Sequence, residues 1–255
     1  MNKKKVILLG AAGRIGEGFK EEYLENKEYQ NAYELILGVH NKRFKDKDFK
    51  VRSFSLSDYK SVKKALSDID IVINMAANPD PNAKFEDLVK PNLIGAYNVF
   101  EAARTSKCSR VIFASSVHAI EGYSKSYKVG GDDTPKPEDL YGATKAFGEA
   151  LCHRFSSEFS LSCLAIRIGA YTSNDKMKSV CFKRKYYRHV ISQRDMGSLL
   201  HKCIIAPKNV KYGVLSGISN NKRGDMDLKL AKKLVGYVPK DNIDVLCKKF
   251  KGIKS

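Results

Sequence analysis

The sequence predicts an α/β protein built on a doubly wound parallel sheet, and three observations carry that expectation. Short apolar runs alternate with helical stretches from residue 5 to residue 168. The first run, Lys5 to Leu9, passes at once into Gly10-Ala11-Ala12-Gly13-Arg14-Ile15-Gly16, a glycine loop that opens a helix. A later run delivers Ser115-Ser116-Val117-His118 at its C-terminal end. Open α/β sheets hold their ligands at that edge.

Taken in order, Lys5 to Leu9 is short and apolar, as a buried strand should be, and a helix is expected from about Ile15 to Tyr29. Glycines at 10, 13 and 16 let backbone approach a pyrophosphate, whose charge the helix N-terminus meets. Ala12, Arg14 and Ile15 fall within the same cradle. Glu34 to Val39 is the second strand. An acidic residue at its end would bond a ribose 2′-hydroxyl and select NAD. Here the chain reads Gly38-Val39-His40-Asn41-Lys42-Arg43, with no carboxylate between Glu34 and Asp46. Lys42 and Arg43 suit a 2′-phosphate, so NADP is favoured, with NAD second.

Val51 to Phe54 is the third strand, and Ser57-Asp58 opens the next helix. Asp58 suits both an N-cap and an acceptor for the adenine amino group, beside Leu56. Ile69 to Met75 is the fourth strand. Met75, Ala76 and Ala77 at its end let the chain pass under a cofactor, and Asn78-Pro79-Asp80-Pro81 makes a rigid turn over the site. A long helix from about Phe85 to Thr105 carries Asn92 and Asn98. After the strand Arg110 to Ala114, the polar loop Gly130 to Asp139 is placed as a partial lid. A helix from Tyr141 to about Phe159 and a strand from Leu161 to Ile168 complete the alternation. Beyond them Asp195 to Ile205 and Asp227 to Val235 read as helices, and Tyr212 to Ser216 as a strand. We therefore divide the chain into a dinucleotide-binding domain, 1–168, and a small mixed region, 169–255, that packs on the sheet edge and completes a substrate pocket.

The chemistry centres on Tyr141-Gly142-Ala143-Thr144-Lys145. Residues four apart share a helix face. A phenol titrates near about 10 and is a poor base at neutral pH, and an ammonium beside it lowers that value by favouring the phenolate. Next to a dinucleotide this is a proton-transfer device.

Composition narrows the partners. The six cysteines (108, 152, 163, 181, 203 and 247) show no Cys-x-x-Cys and no pairing with His at ligand spacing. They read as reduced thiols of a cytoplasmic protein without a metal site. Val6 to Leu9 is too short for a signal sequence, and no stretch approaches the roughly 20 apolar residues of a membrane span. The net charge of +18 is spread along the chain. Lys183-Arg184-Lys185-Tyr186-Tyr187-Arg188 resembles a backbone-binding patch, but no nucleic-acid module accompanies it, so attraction for a small anionic substrate is expected instead.

Together, Gly10-x-x-Gly13-x-x-Gly16, Asp58, Ser115-Ser116 and Tyr141-x-x-x-Lys145 resemble the extended short-chain dehydrogenase/reductase family, the NAD-dependent epimerase/dehydratase group with its Rossmann fold. Ala114 to His118, Arg167-Ile168-Gly169, Ser192 to Asp195 and Gly217 to Asn221 are similar to uronate dehydrogenases and related sugar dehydrogenases. The resemblance implies Tyr141 as acid/base, with Ser116, 25 residues earlier, orienting the reacting oxygen. It implies Lys145 on the nicotinamide ribose, Ile168 and Gly169 near the nicotinamide amide, and Asn92 among the cofactor contacts. Asn78, Ser115 and His118 would line the substrate side. His118 reads equally as a packed, hydrogen-bonded core histidine.

Two departures matter. Dehydratases of the group place an acidic pair after the catalytic hydroxyl, where Val117-His118 stands. Uronate dehydrogenases carry a serine where Ala170 stands and an arginine further on for the carboxylate. Here the bases are Lys176, Lys178, Lys183, Arg184 and Arg188, of which Arg184 and Arg188 are the candidates for a carboxylate or a phosphate. The implied activity is hydride transfer between nicotinamide and a small sugar, sugar acid or sugar phosphate. A nucleotide-sugar epimerase with tightly bound NAD is the alternative, though the 86 residues after Gly169 leave little material for a nucleoside diphosphate cleft. The helices 85–105 and 140–159 carry apolar faces suited to a homodimer or higher homo-oligomer.

Overall fold

The computed structural model describes residues 3–40, 43–183 and 187–250. Its strands are β1 (Lys4–Leu9), β2 (Tyr33–Val39), β3 (Lys50–Ser53), β4 (Ile71–Asn74), β5 (Arg110–Ser116) and β6 (Ser162–Ile168). A short parallel pair, β7 (Ala170–Thr172) with β8 (Val190–Ser192), stands apart, and β9 (Tyr212–Gly217) rejoins the main sheet. The spatial order is β3-β2-β1-β4-β5-β6-β9, and every ladder is parallel. The chain leaves β1 in one direction to β2 and β3, then returns to β4 on its other side. That reversal opens a crevice at the strand C-termini between β1 and β4.

Helices α1 (Arg14–Glu25), α2 (Lys27–Ala32), α3 (Tyr59–Ala65), α4 (Phe85–Leu88), α5 (Gly95–Thr105) and α6 (Leu140–Glu158) belong to the first part of the chain. Helices α7 (Asn174–Lys183), α8 (Gln193–Ile205), α9 (Lys229–Val235) and α10 (Ile243–Phe250) follow. Alternation along β1 shows how they layer. Val6 and Leu8 join Phe19 of α1 and Leu199 and Leu200 of α8 in one core, while Ile7 and Leu9 join Val62, Val99, Phe100 and Leu151 in the other. Each such side chain, fully buried, stabilises the fold by about 1.5–3 kcal/mol.

Three expectations are corrected. The helix read from Ile15 to Tyr29 is two helices, because Asn26 is extended (φ −112°, ψ 103°) and turns its amide back onto Glu22 O at 2.6 Å. The helix read from Phe85 to Thr105 contains a π turn, Val89–Ile94. Pro91 lies inside it and has no N–H to donate, so a widened turn accommodates it. The cysteines are not all reduced: Cys181 of α7 and Cys247 of α10 form a disulfide, and Cys108, Cys152, Cys163 and Cys203 are buried free thiols. Because these partners lie 66 residues apart, on two helices that sequence alone does not pack together, spacing could not reveal the pair.

Arg110 is buried at the start of β5. It donates to Ser162 Oγ and to the carbonyls of Cys203, Ala206 and Pro207, at 2.8–2.9 Å. It thereby satisfies the orphan acceptors at the end of α8. The Ser192 to Asp195 and Gly217 to Asn221 segments hold each other. Asp195 accepts from Ser219 Oγ (2.6 Å) and from the Lys240 and Asp241 amides, and Asp241 accepts from Ser192 Oγ and Arg194. Among the described residues no helix is long and apolar enough to cross a membrane.

Candidate active site

The crevice is a cavity of about 1150 Å³ with the glycine loop at one end and Tyr141 at the other. From the first loop Gly10, Ala12, Gly13, Arg14, Ile15 and Gly16 line it. Gly10 sits at φ +84°, and a Cβ there would lie 2.9 Å from the backbone of Met75 and Ala76. A Cβ on Gly16 would come within 2.6 Å of the Gly10 and Ala11 carbonyls. Only glycine lets the loop lie this close to the β4 end and to its own helix. Leu56, Met75, Ala76, Ala77, Asn78 and Ile168 line the cavity as expected.

Asp58 is the N-cap of α3, its Oδ1 accepting from the Lys60 and Ser61 amides at 2.9 and 3.2 Å, and it is not part of the cavity wall. Asn92 is not part of it either. Its side chain is buried, accepts from Asn78 N (2.8 Å) and donates to Asn78 O (3.0 Å) and Thr144 Oγ1 (3.1 Å). It therefore pins the Asn78 turn to α6, and the contact it makes is with protein, because the π turn rotates it inward while Lys90 and Pro91 face the cavity. Arg43 is exposed and outside the wall. Lys42 and Arg184 lie outside the described residues.

At the far end β5 brings Ser116 beside α6. Ser116 is 6% exposed and Lys145 only 4%. Tyr141 and Ser116 line the cavity together, with the Ser116 hydroxyl near enough to favour the phenolate, and Lys145 Nζ lies 5.3 Å from the ring centroids of both Tyr141 and Phe113. Burial dominates the electrostatics. It raises the Tyr141 phenol above its ordinary value, against the Ser116 hydrogen bond and with help from Asp139. It pushes the Lys145 ammonium down to about 8. The expectation that Lys145 would make the phenol more acidic is thus not met by these side chains. The ring-to-amine distance is long, and desolvation outweighs it.

Ser115 lines the cavity, but its hydroxyl is engaged behind the wall. Its hydroxyl donates to Glu149 at 2.6 Å, and Glu149 is paired with Arg167 through Nε and Nη2, both at 2.9 Å. Successive residues of a strand face opposite ways, so the two serine hydroxyls have different partners. His118 lines the cavity, and its Nδ1 is 2.6 Å from Asp139 Oδ2 and 3.2 Å from Glu121 Oε2. His118 is thus hydrogen-bonded and half-buried in the cavity wall. These three groups are the one His/Cys/Asp/Glu cluster of ligand size among the described residues, and the His–Asp separation is that of a hydrogen bond.

Arg188 turns to Lys125 O (2.9 Å) and Asp225 and does not line the cavity, because its side chain follows the edge of the β8 approach. The loop expected as a lid is tied down beside the site. Arg167 donates to Gly130 O and Asp133 O, Lys136 N bonds Ala119 O, and among the described residues of 130–139 none lines the cavity. The wall that sequence reasoning missed includes Lys90, Glu121, Tyr171, Val180 and His189, and Lys176, named only among the bases of its segment, lines it too. The basic character of the segment after Gly169 was a signal for Lys176. Nothing local marked Lys90, which a π turn presents.

A proton can be moved at the Tyr141 hydroxyl, next to a crevice whose glycine floor fits a dinucleotide. That combination defines a dinucleotide-dependent oxidoreductase of the short-chain dehydrogenase class. The chain belongs to the NAD dependent epimerase/dehydratase family, whose model matches residues 6–193. It is similar to the NAD-dependent glucose-6-phosphate dehydrogenase of Haloferax volcanii, 27% identical over 93% of this chain and 93% of that protein. It is similar also to the uronate dehydrogenase of Agrobacterium fabrum, 29% identical over 94% and 86% of the two chains. Among solved structures, a mutant uronate dehydrogenase from Agrobacterium tumefaciens complexed with NAD superposes with a TM-score of 0.83 at 26% identity, covering 99% of this chain and 91% of that one. A UDP-galactose 4-epimerase, 19% identical with a TM-score of 0.71 over 96% and 97% of the chains, shares the fold.

Proposed function

We propose that this protein is an NAD(P)-dependent dehydrogenase that oxidises a hydroxyl of a small sugar, sugar acid or sugar phosphate. The observation that carries the reading is that Ser116, Tyr141 and the buried Lys145 line the same cavity as the glycine loop. Ser116 orients the substrate oxygen and Tyr141 removes its proton. Lys145 holds a ribose. Gly10, Ala12, Gly13, Arg14, Ile15 and Gly16 would hold the pyrophosphate, Leu56 the adenosine, and Met75, Ala76, Ala77 and Ile168 the nicotinamide side. The bound dinucleotide supplies the hydride acceptor.

The segment 169–255 completes the substrate side through Tyr171, Lys176 and His189, all of which line the cavity. Lys90 and Lys176 both line the cavity and offer it cations suited to a carboxylate or phosphate. For the dinucleotide, NADP is preferred over NAD. The reason is that β2 ends in Val39-His40 against the cavity, with no carboxylate to bond a 2′-hydroxyl. Titration of both cofactors by fluorescence tests this, and tighter NAD binding overturns it.

The cytosol is the proposed location, on the four buried free thiols, with the Cys181–Cys247 pair as the exception. A homodimer or higher homo-oligomer is proposed through Ile94, Tyr97, Leu140 and Phe147, apolar side chains exposed along the π turn, α5 and α6. Sedimentation as a monomer would remove that element.

Uronates, free aldoses and sugar phosphates should be screened for net nicotinamide reduction. Tyr141→Phe should lower turnover at least about 100-fold while cofactor binding persists. Near-full activity in that variant refutes the assignment, and absence of net reduction with every sugar points to an epimerase.

A further inference from the structure

Asp139 is two residues before Tyr141, and each of its carboxylate oxygens has a separate task. Oδ1 accepts the Gly142 amide at 2.6 Å and so caps α6, the helix that carries Tyr141 and Lys145. Oδ2 lies 2.6 Å from His118 Nδ1. An ionised carboxylate only accepts, so the imidazole must carry its proton on Nδ1. Glu121, 3.2 Å from the same nitrogen, can only reinforce that choice. The ring meanwhile stands edge-on to Tyr141, centroids 5.5 Å apart and planes at 75°, and forms part of the cavity wall. Among the described residues Nε2 has no partner, which leaves it as the nitrogen open to a ligand.

We propose that Asp139 is a positioning residue that locks His118 in the Nδ1–H tautomer, so that bare Nε2 accepts a hydrogen bond from a hydroxyl of the sugar beside the one that Tyr141 deprotonates. The assignment rests on the dehydrogenase reading above. It deepens that reading by stating what His118 requires of its ligand: a neutral donor, such as a ring hydroxyl. The anionic group of a sugar acid or sugar phosphate is then met elsewhere in the cavity, by Lys90 or Lys176. One carboxylate thus sets both the start of the catalytic helix and the hydrogen-bonding sense of the histidine next to it.

The substitution that isolates the second task is Asp139→Asn. The amide oxygen still caps Gly142, while the amide nitrogen becomes a donor towards Nδ1 and forces the proton onto Nε2. A second variant, Asp139→Ser, keeps a good cap and removes the ring contact. The first readout does not depend on turnover: ¹⁵N shifts of the His118 ring should report protonated Nδ1 in the wild type and protonated Nε2 in Asp139→Asn. The second uses whichever of D-glucuronate, L-arabinose or D-glucose 6-phosphate the wild type oxidises. Both variants should raise the KM for that sugar at least tenfold, with cofactor affinity and melting temperature within error of wild type.

In a His118→Ala background, Asp139→Asn should add less than twofold, because Asp139 acts through the ring. An unchanged tautomer or an unchanged sugar KM overturns the inference. So does a full-sized Asp139→Asn effect without His118, or a loss of cofactor affinity, since either is the signature of a helix cap alone. If Tyr141→Phe retains activity, the dehydrogenase reading fails instead, while the tautomer measurement still stands or falls by itself.

Discussion

Removing the buried charge at Lys145 should make this protein more stable as it makes it inactive. The amine is 4% exposed, and its neighbours Phe113 and Tyr141 are aromatic faces without a carboxylate. Burial pushes its pKa from the ordinary 10.5 down to about 8. A gap of that size is worth about 3 kcal/mol, at about 1.36 kcal/mol per pKa unit. The sign follows from linkage. The unfolded chain binds the proton more tightly than the folded one, so stability is fully present above pH 10.5 and is lost as pH falls through about 8. Lys145→Met keeps the length of the side chain and removes the titration. The variant should therefore melt about 6–12 °C above wild type at pH 7, from about 2–4 °C per kcal/mol in a chain of this size. The difference should shrink through pH 8–10 and vanish near 10.5. Paired thermal melts from pH 6 to pH 10.5 measure it, and every other titrating group cancels in the comparison. A melting difference that is independent of pH, or a variant less stable than wild type at pH 7, would refute the account of Lys145 as an ammonium held in the site at the expense of stability.

Two further perturbations reach the scaffold behind the site. Glu149→Gln strands the Arg167 guanidinium, 2% exposed, beside a neutral partner and frees Ser115, and should cost about 3–5 kcal/mol in urea denaturation. The double variant Glu149→Leu/Arg167→Met should recover much of that loss; no recovery would show that packing matters there more than charge. Reduction of Cys181–Cys247, or Cys247→Ser, releases a loop of 66 residues worth about 4 kcal/mol in the chain-entropy model. It should also raise the sugar KM, since Lys176 and Val180 of α7 line the cavity and that helix packs on α10. An unchanged KM on reduction would show that α7 holds its place without the bond.

The parts of the site that sequence could show are those whose chemistry is local. Gly10, Gly13 and Gly16 follow a strand and precede a helix, and that order alone implies a phosphate cradle. Tyr141 and Lys145 are one helical turn apart wherever the helix lies. Asp58 announces a helix start by its type and place, and it caps one. The parallel sheet was legible for the same reason, since buried strands and amphipathic helices carry their periods in a few residues.

What tertiary structure decided is direction and pairing. Packing sends the Ser115 hydroxyl to Glu149 and leaves Ser116 in the cavity wall with Tyr141, a choice set by which face of β5 meets α6. Proline in a widened turn puts Asn92 against Asn78 and Lys90 into the cavity. Arg188 was expected at the substrate and turns to Asp225, while Lys176, 12 positions earlier on a different element, lines the wall. Residue types and spacings determine a fold class and the kind of chemistry available, because those depend on bonds within a turn or a strand. Desolvation, ion pairing and the Cys181–Cys247 link depend on which distant segments are brought together, so they emerge only once the chain has packed.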